Sequence, residues 1–104
     1  MKVAISSKGD TLDSGMDSRF GRCKFFAIYD SDDKSTLFID NTAATLTEGA
    51  GPAALQLLTA QGVSKLVSGN FGVKIKTLSS DLNVQLIVMR ESHTIGSIIN
   101  ILNH

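Results

Sequence analysis

The feature that most constrains the fold of this chain is the segment Ser68-Gly69-Asn70-Phe71-Gly72, which lies between a short apolar run and a helix-periodic stretch. The apolar run at 65–67 is typical of a buried strand, and the apolar spacing from Phe71 onward is typical of a helix. The two glycines permit a tight turn between them. Ligands in open α/β sheets bind at such strand-to-helix loops, and helix N-termini favour anions. The segment therefore predicts either a ligand edge of an α/β sheet or a plain turn.

Apolar and periodic runs along the whole chain predict five strands and three helices in the order β-β-β-α-β-α-β-α. The strands are predicted at Val3–Ile5, Lys24–Asp30, Thr36–Asp40, Val63–Ser68 and Val84–Met89. The short connection after strand 2 predicts an antiparallel hairpin, whereas helical crossovers make their flanking strands parallel. We therefore predict one α/β domain over residues 1–104, with a ribonuclease H-like three-layer fold, three helices and a mixed five-stranded sheet. The predicted strand order is 3-2-1-4-5, with strand 2 antiparallel.

The spacing of apolar residues also predicts the buried stripe of each helix. The helices are predicted to begin at Gly49–Pro52, at Phe71 and near Ile95. The stripes are Ala54, Leu57 and Leu58 in the first helix, Phe71, Ile75, Leu78 and Leu82 in the second, and Ile95, Ile98, Ile99 and Leu102 in the third.

The charge and cysteine content exclude several classes of function. Ten basic residues balance ten acidic residues, so no overall field recruits nucleic acid or an anionic membrane. No apolar run reaches the length of a bilayer span, and the start of the chain reads as a strand rather than a signal peptide. The single cysteine excludes an internal disulfide bond. These features predict a cytoplasmic protein with neither a nucleic-acid nor a membrane partner.

Five loops share one edge of the predicted sheet, and the crevice is expected between the loops that follow strands 1 and 4. The loops are Ser7–Ser18, Arg19–Cys23, Gly49–Gly51, Gly69–Gly72 and Arg90–Thr94. The first contains two glycines and few apolar residues, so we expect it to be solvated and the most mobile internal segment. Its three aspartates lack the spacing of an EF-hand calcium loop.

Each candidate site residue at this edge has a structural alternative. Arg19 and Arg22 suit a polyanion, but they also have acidic neighbours with which to pair. Cys23 is either a metal ligand or a small buried residue. His93 is either a ligand or a solvated loop residue, and His104 belongs to a terminus that we expect to be disordered.

Four motifs in sequence resemble the dinitrogenase iron–molybdenum cofactor-binding family. They are Met1–Ile5, the Arg19-Phe20-Gly21-Arg22 turn leading to Tyr29-Asp30, Gly49-Ala50-Gly51, and Ser68-Gly69-Asn70-Phe71-Gly72. This family includes small cofactor carriers of the NifX type and the C-terminal portion of the NifB assembly enzyme. The resemblance covers nearly the whole chain. It implies a ribonuclease H-like domain that binds the iron–molybdenum cofactor or another iron–sulfur-type cluster without catalysis. It also implies partners among cofactor-assembly proteins or a nucleotide-binding assembly ATPase.

On this interpretation the cofactor-binding residues are Arg19, Gly21, Arg22, Gly49, Gly51, Gly69, Asn70 and Gly72. Family members that act in nitrogenase assembly carry His where this chain has Arg19, and that His is the expected cluster ligand. A guanidinium group does not coordinate metal, so coordination falls to Cys23 or His93. Cys23 is the preferred ligand, because thiolates bind iron–sulfur units and the nearby cations at 19, 22 and 24 are expected to favour its thiolate.

Two other functions compete with a cluster carrier. An enzyme of the ribonuclease H type requires carboxylates that rise from the sheet around two metal ions, and the predicted strand interiors contain none. The remaining alternative is a regulatory or protein-interaction module of the same fold that binds no cofactor.

Overall fold

The computed structural model describes residues 1–103, and it contains the eight elements in the predicted order; His104 lies outside the described residues. The strands are β1 (Lys2–Ser7), β2 (Phe25–Asp30), β3 (Ser35–Asp40), β4 (Val63–Ser68) and β5 (Gln85–Val88), and the helices are α1 (Ala50–Ala60), α2 (Val73–Asp81) and α3 (Ile95–Leu102). No helix within residues 1–103 combines the length and apolar character that crossing a membrane requires.

The strands form one sheet in the order β3-β2-β1-β4-β5, as predicted. In its centre, Ile5 of β1 pairs with Ala27 of antiparallel β2 on one side and with Val67 of parallel β4 on the other. The β2–β3 hairpin is antiparallel, and β4 and β5 are parallel. The loops that follow β1, β4 and β5 therefore meet at one edge of the sheet.

The two faces of the sheet are covered by different helices, which gives three layers. Ala4 and Leu66 belong to a buried cluster with α1 and α2, whereas Val3, Ile5 and Val67 belong to a second cluster with α3. Adjacent residues of one strand point to opposite faces, so both faces of β1 and β4 are buried. This explains why Val3-Ala4-Ile5 in β1 reads as a continuous apolar run rather than as an alternating pattern.

Two predicted helix stripes are partly wrong. α2 begins at Val73 with Gly72 as its N-cap, two residues later than predicted. Phe71 is nevertheless buried, because its ring packs 5.4 Å from the ring of Phe20 before the helix begins. Leu78 and Leu82, which were predicted to be buried, are 36% and 52% exposed, because α2 packs on β5, the edge strand of the sheet.

In α1 one residue of the predicted buried stripe is wrong. Leu55 is buried and Leu57 is only half-buried. The helix therefore faces the sheet with Ala54, Leu55 and Leu58 rather than with the predicted combination.

Candidate functional site

A cleft of about 350 Å³ opens at the edge where β1, β4 and β5 end. Its volume lies in the range of small-ligand pockets. Its lining comes from the loops after these three strands: Lys8, Met16, Ser18, Gly69, Met89, Arg90, Glu91 and Ser92. The sequence places a crevice between the loops after strands 1 and 4, and the structure adds the loop after β5 as its third wall. Of the predicted site residues, Gly69 lines the cleft directly.

The loop after β1 is anchored more firmly than the sequence predicts. Four backbone hydrogen bonds of 2.9 Å connect it to other elements: the N–H groups of Met16 and Asp17 donate to the carbonyls of His93 and Ser6, and those of Ile95 and Gly96 donate to the carbonyls of Ser14 and Leu12. Met16 is half-buried and packs against the α3-side cluster. Most of the loop is exposed, as expected of a solvated loop, but its backbone is fastened to the start of α3 and the end of β1. Its mobility stays a prediction.

The loops after β1 and β4 approach each other closely at the floor of the cleft. A Cβ atom on Gly69 would lie 2.7 Å from the Cβ of Ser18. One residue further along each loop, Arg19 and Asn70 form an isolated parallel β-bridge. The structure thus brings Arg19, Gly69 and Asn70 together, and Gly69 is required for this close approach rather than only for the turn.

The Arg19 side chain is held by Asp17. Its Nε and Nη2 atoms each donate to the Asp17 carboxylate at 3.2 Å, and the Arg19 backbone N–H donates to the same group at 2.9 Å. Burial alone raises the pKa of Asp17, but the hydrogen bonds from Arg19 and the positive charges of Arg19 and Lys8 lower it overall. The Asp17 side chain is 7% exposed and that of Arg19 is 68% exposed. One edge of the Arg19 guanidinium is therefore occupied, while the side chain stays open to solvent.

Arg22 lies in the same turn but contacts a different loop. Its guanidinium donates to the carbonyls of Ala44, Leu46 and Thr47. These bonds fasten the connection between β3 and α1, and Arg22 does not line the cleft. The Arg22 guanidinium therefore binds backbone carbonyls, whereas the sequence suggested that it faces a bound anion.

The remaining predicted glycines lie outside the cleft lining. Gly21 and Gly51 pack against each other where the turn before β2 meets the first turn of α1, and Gly51 also contacts Ile75 of α2. Gly49 and Gly72 are the N-cap residues of α1 and α2. Of these four glycines, Gly21 and Gly51 serve close packing, which is the alternative that the sequence left open for the Gly49–Gly51 segment.

Cys23 is fully buried in the cluster beneath α1 and α2. Burial, with a smaller contribution from the Asp17 carboxylate, raises the pKa of its thiol to about 11. The expectation that neighbouring cations favour the thiolate is therefore wrong. Arg22 is directed to loop carbonyls and Arg19 to Asp17, so neither compensates for the loss of solvation.

Asn41 is a buried polar residue near the site that the sequence did not single out. It is 6% exposed, and its Nδ2 donates to the carbonyls of Gly21 at 3.0 Å and Cys23 at 2.9 Å. Its Oδ1 accepts from the N–H of Ala43 at 3.1 Å. Asn41 thus stabilises the turn before β2, and a lone Asn after a strand carries no signal that would reveal this.

His93 lies beside the cleft without lining it. Its carbonyl accepts the bond from Met16, and its Nε2 is 4.0 Å from a carboxylate oxygen of Glu91. The imidazole is 21% exposed. Neither His93 nor Cys23 belongs to a group of three or more His, Cys, Asp and Glu side chains that could hold a metal ion, since residues 1–103 contain no such group.

The chemistry of the cleft comes mainly from residues that the sequence did not single out. Lys8 and Arg90 contribute positive charge and Glu91 negative charge. Met16 and Met89, from the β1 and β5 loops, also line the cleft, and both are half-buried and pack against the α3-side cluster. Thioethers are soft donors that suit soft metals and metal–sulfur units. The arrangement can therefore accept a ligand that is both anionic and soft.

Comparison with known proteins agrees with the fold and identifies the family. The chain is 27% identical to the orange protein from Desulfovibrio gigas, solved in its apo form, with a TM-score of 0.91 over 98% of this chain and 86% of that one. It is 29% identical to a candidate NifB protein from Thermotoga, with a TM-score of 0.84 and the same coverage of both chains. No curated protein sequence matches it significantly. The dinitrogenase iron–molybdenum cofactor family matches residues 1–103, and the chain belongs to this family.

Proposed function

We propose that this protein is a non-catalytic carrier that binds an anionic metal–sulfur cluster in the cleft between the β1, β4 and β5 loops. The cargo is the iron–molybdenum cofactor or another iron–sulfur-type cluster in cofactor assembly or transfer. The observation that carries the proposal is that two cationic residues and two methionines line one cleft in a member of this family. The solved orange protein is described as the apo form. This term is used for a protein that also exists with a bound group.

Electrostatics in the cleft favour a negatively charged cargo. Lys8 and Arg90 line the cleft from two loops, one after β1 and the other after β5. Arg19 lies next to the cleft-lining Ser18, but its charge is balanced by the Asp17 carboxylate, so the positive charge of the cleft comes from Lys8 and Arg90. The lining has a single acid, Glu91, whose side chain is 89% exposed, so two positive charges face one negative charge.

The thioethers of Met16 and Met89 supply the soft contacts of the proposed site. They belong to two different loops of the cleft lining. Methionine adapts its shape to irregular surfaces through three rotatable bonds. We therefore expect Met16 and Met89 to contact the sulfur-rich surface of the cargo or a soft metal within it.

Direct coordination by Cys23 is not part of the proposal, because its thiol is buried and stays protonated at neutral pH. His93 is the imidazole beside the cleft and remains a candidate ligand. Its ring would need to turn from Glu91 into the cleft. Donors and acceptors of the cargo are expected among assembly proteins, including a nucleotide-binding ATPase.

Anaerobic titration of cofactor extracted from dinitrogenase, followed by visible absorption, tests the proposal. The double variant Lys8→Ala/Arg90→Ala should bind about 10-fold more weakly, since each lost partly exposed contact is worth about 0.7 kcal/mol. The loss should shrink as salt is added. The matched control Lys2→Ala/Lys76→Ala removes the same charge outside the cleft lining and should bind like wild type.

A second pair of variants separates the thioether contribution from charge. Met16→Leu/Met89→Leu conserves volume and apolar character but removes both sulfur atoms. We expect a changed absorption spectrum of the bound cluster with a modest loss of affinity. His93→Ala tests the imidazole, and it should change the spectrum only if His93 is a ligand. No uptake by wild type would favour the cofactor-free regulatory module instead.

A further inference from the structure

The outer edge of β3 presents an unpaired row of backbone groups. β3 is the end strand of the sheet within residues 1–103, and its only ladder is with β2. The N–H of Asn41 donates to the carbonyl of Lys24, which makes that opposed pair a hydrogen-bonded one. Because hydrogen-bonded pairs alternate along an antiparallel ladder, Thr36, Phe38 and Asp40 turn their peptide groups away from β2.

The middle of this edge lacks the features with which proteins usually block strand addition. Between Ser35 and Ile39 it contains no proline, no lysine and no acidic residue, and its pairing with β2 runs without a register shift. Leu37, in the middle of the strand, is 57% exposed. The opposite edge strand, β5, is only four residues long, whereas β3 has six.

The charges at the two ends of β3 are complementary to a second copy of the same strand. In an antiparallel pairing with a two-fold axis at Leu37, Thr36 lies opposite Phe38. Lys34, in the turn just before β3, then lies near Asp40 of the other copy. This register places the outward peptide groups of Thr36 and Phe38 in hydrogen-bonded positions. It also places the two Leu37 side chains directly opposite each other, where cross-strand contact is closest.

We propose that the protein self-associates through β3, edge to edge, so that two five-stranded sheets join into one continuous sheet. Such an interface is small, so the dimer is weak and depends on concentration. The interface lies at the edge of the sheet opposite to β5. The loop after β5 forms one wall of the cleft, so the cleft of each protomer remains open in the dimer.

Sedimentation equilibrium across a range of protein concentrations tests this inference. Wild type should show a reversible monomer–dimer equilibrium. Leu37→Lys, which places like charges opposite each other on the axis, should make the protein monomeric. Leu46→Lys changes another exposed leucine, 42% accessible in the loop before α1, and should dimerise like wild type.

Charge exchange makes the register itself testable. Lys34→Asp and Asp40→Lys should each weaken dimerisation several-fold, and the double variant should restore it. A strictly monomeric wild type would overturn the proposal, as would a Leu37→Lys variant that dimerises normally or a double variant that is not restored. Binding of an extended peptide by a monomeric wild type would also overturn it, in favour of strand addition by another protein.

Discussion

Gly21 and Gly51 pack backbone against backbone, so closely that a Cβ atom on Gly21 would lie 2.8 Å from the Cα of Gly51. Gly21 also has a φ of +96°, in the region that L-residues rarely adopt. This contact seats the N-terminus of α1 on the turn before β2. The same turn continues into Arg19 and the floor of the cleft, so the contact connects the packing of α1 with the geometry of the site.

Three glycine substitutions should therefore differ in cost in a defined order. Gly21→Ala combines an unfavourable φ with a backbone clash and should destabilise the fold by about 3 kcal/mol or more. Gly49→Ala has a φ of +74° but open space around its Cβ, and it should cost about 1–2 kcal/mol. Gly72 has open space around its Cβ position and an extended backbone. Gly72→Ala should therefore destabilise the fold by less than about 1 kcal/mol. Urea denaturation measures all three, and equal costs would contradict the packing role of Gly21.

The Asp17–Arg19 pair predicts sensitivity to acid. The pKa of Asp17 is lower in the folded protein than in the unfolded chain, so its stabilising contribution is fully present above the unfolded pKa of about 4. This contribution is lost as the pH falls through the folded pKa. Asp17→Asn should cost about 2 kcal/mol at neutral pH and should flatten the decline in stability below about pH 4. Asp13→Asn, at an exposed position of the same loop, should retain the wild-type decline, and an identical decline in both variants would refute the role of the pair.

The sheet order could be predicted from sequence because few topologies satisfy its constraints. The short turn after β2 requires a hairpin, and the two helical crossovers require parallel strands on the same sheet. The start of α2 could not be located in the same way. Phe71 fits the helical spacing, but its burial comes from contact with Phe20 in a distant loop.

The candidate site could be predicted as a location more readily than as a set of residues. The strand order places the loops after β1 and β4 at one edge, and Gly69 does line the cleft. Met16 and Met89 carry no such signal, because a methionine in sequence reads as an ordinary apolar residue. The raised pKa of the Cys23 thiol could not be inferred either. Arg19 and Arg22 are close to it in sequence, but their guanidinium groups bind Asp17 and loop carbonyls in the folded protein.

Amide hydrogen exchange should reveal the anchoring of the loop after β1. The N–H groups of Met16 and Asp17 are bonded to other elements and should exchange slowly even without a ligand. Those of Asp10 and Asp13, at exposed positions in the same loop, should exchange quickly. Uniformly fast exchange across residues 8–18 would support the mobile loop that composition alone suggests.

The buried thiol of Cys23 should react slowly in the native protein. Its thiol is fully buried and its pKa is raised from 9.0 to about 11, so at neutral pH the native protein should contain roughly 100-fold less thiolate than the unfolded chain, and thiolate is the reactive form. Alkylation by iodoacetamide should therefore be very slow in the native state and rapid in urea. Because the folded pKa is the higher one, the linked stabilisation is complete below pH 9 and is lost as the pH rises towards about 11.

Cys23→Ala distinguishes this structural role from cluster ligation. The variant removes the sulfur from a buried site and should destabilise the fold by about 1 kcal/mol, while cluster uptake at a temperature where it is fully folded should equal that of wild type. Cys23→Ser is the harsher test of packing, because it buries a more strongly polar hydroxyl group beside Asn41. Loss of cluster binding by a folded Cys23→Ala protein would show that the thiol leaves the core to coordinate metal, and it would return Cys23 to the site.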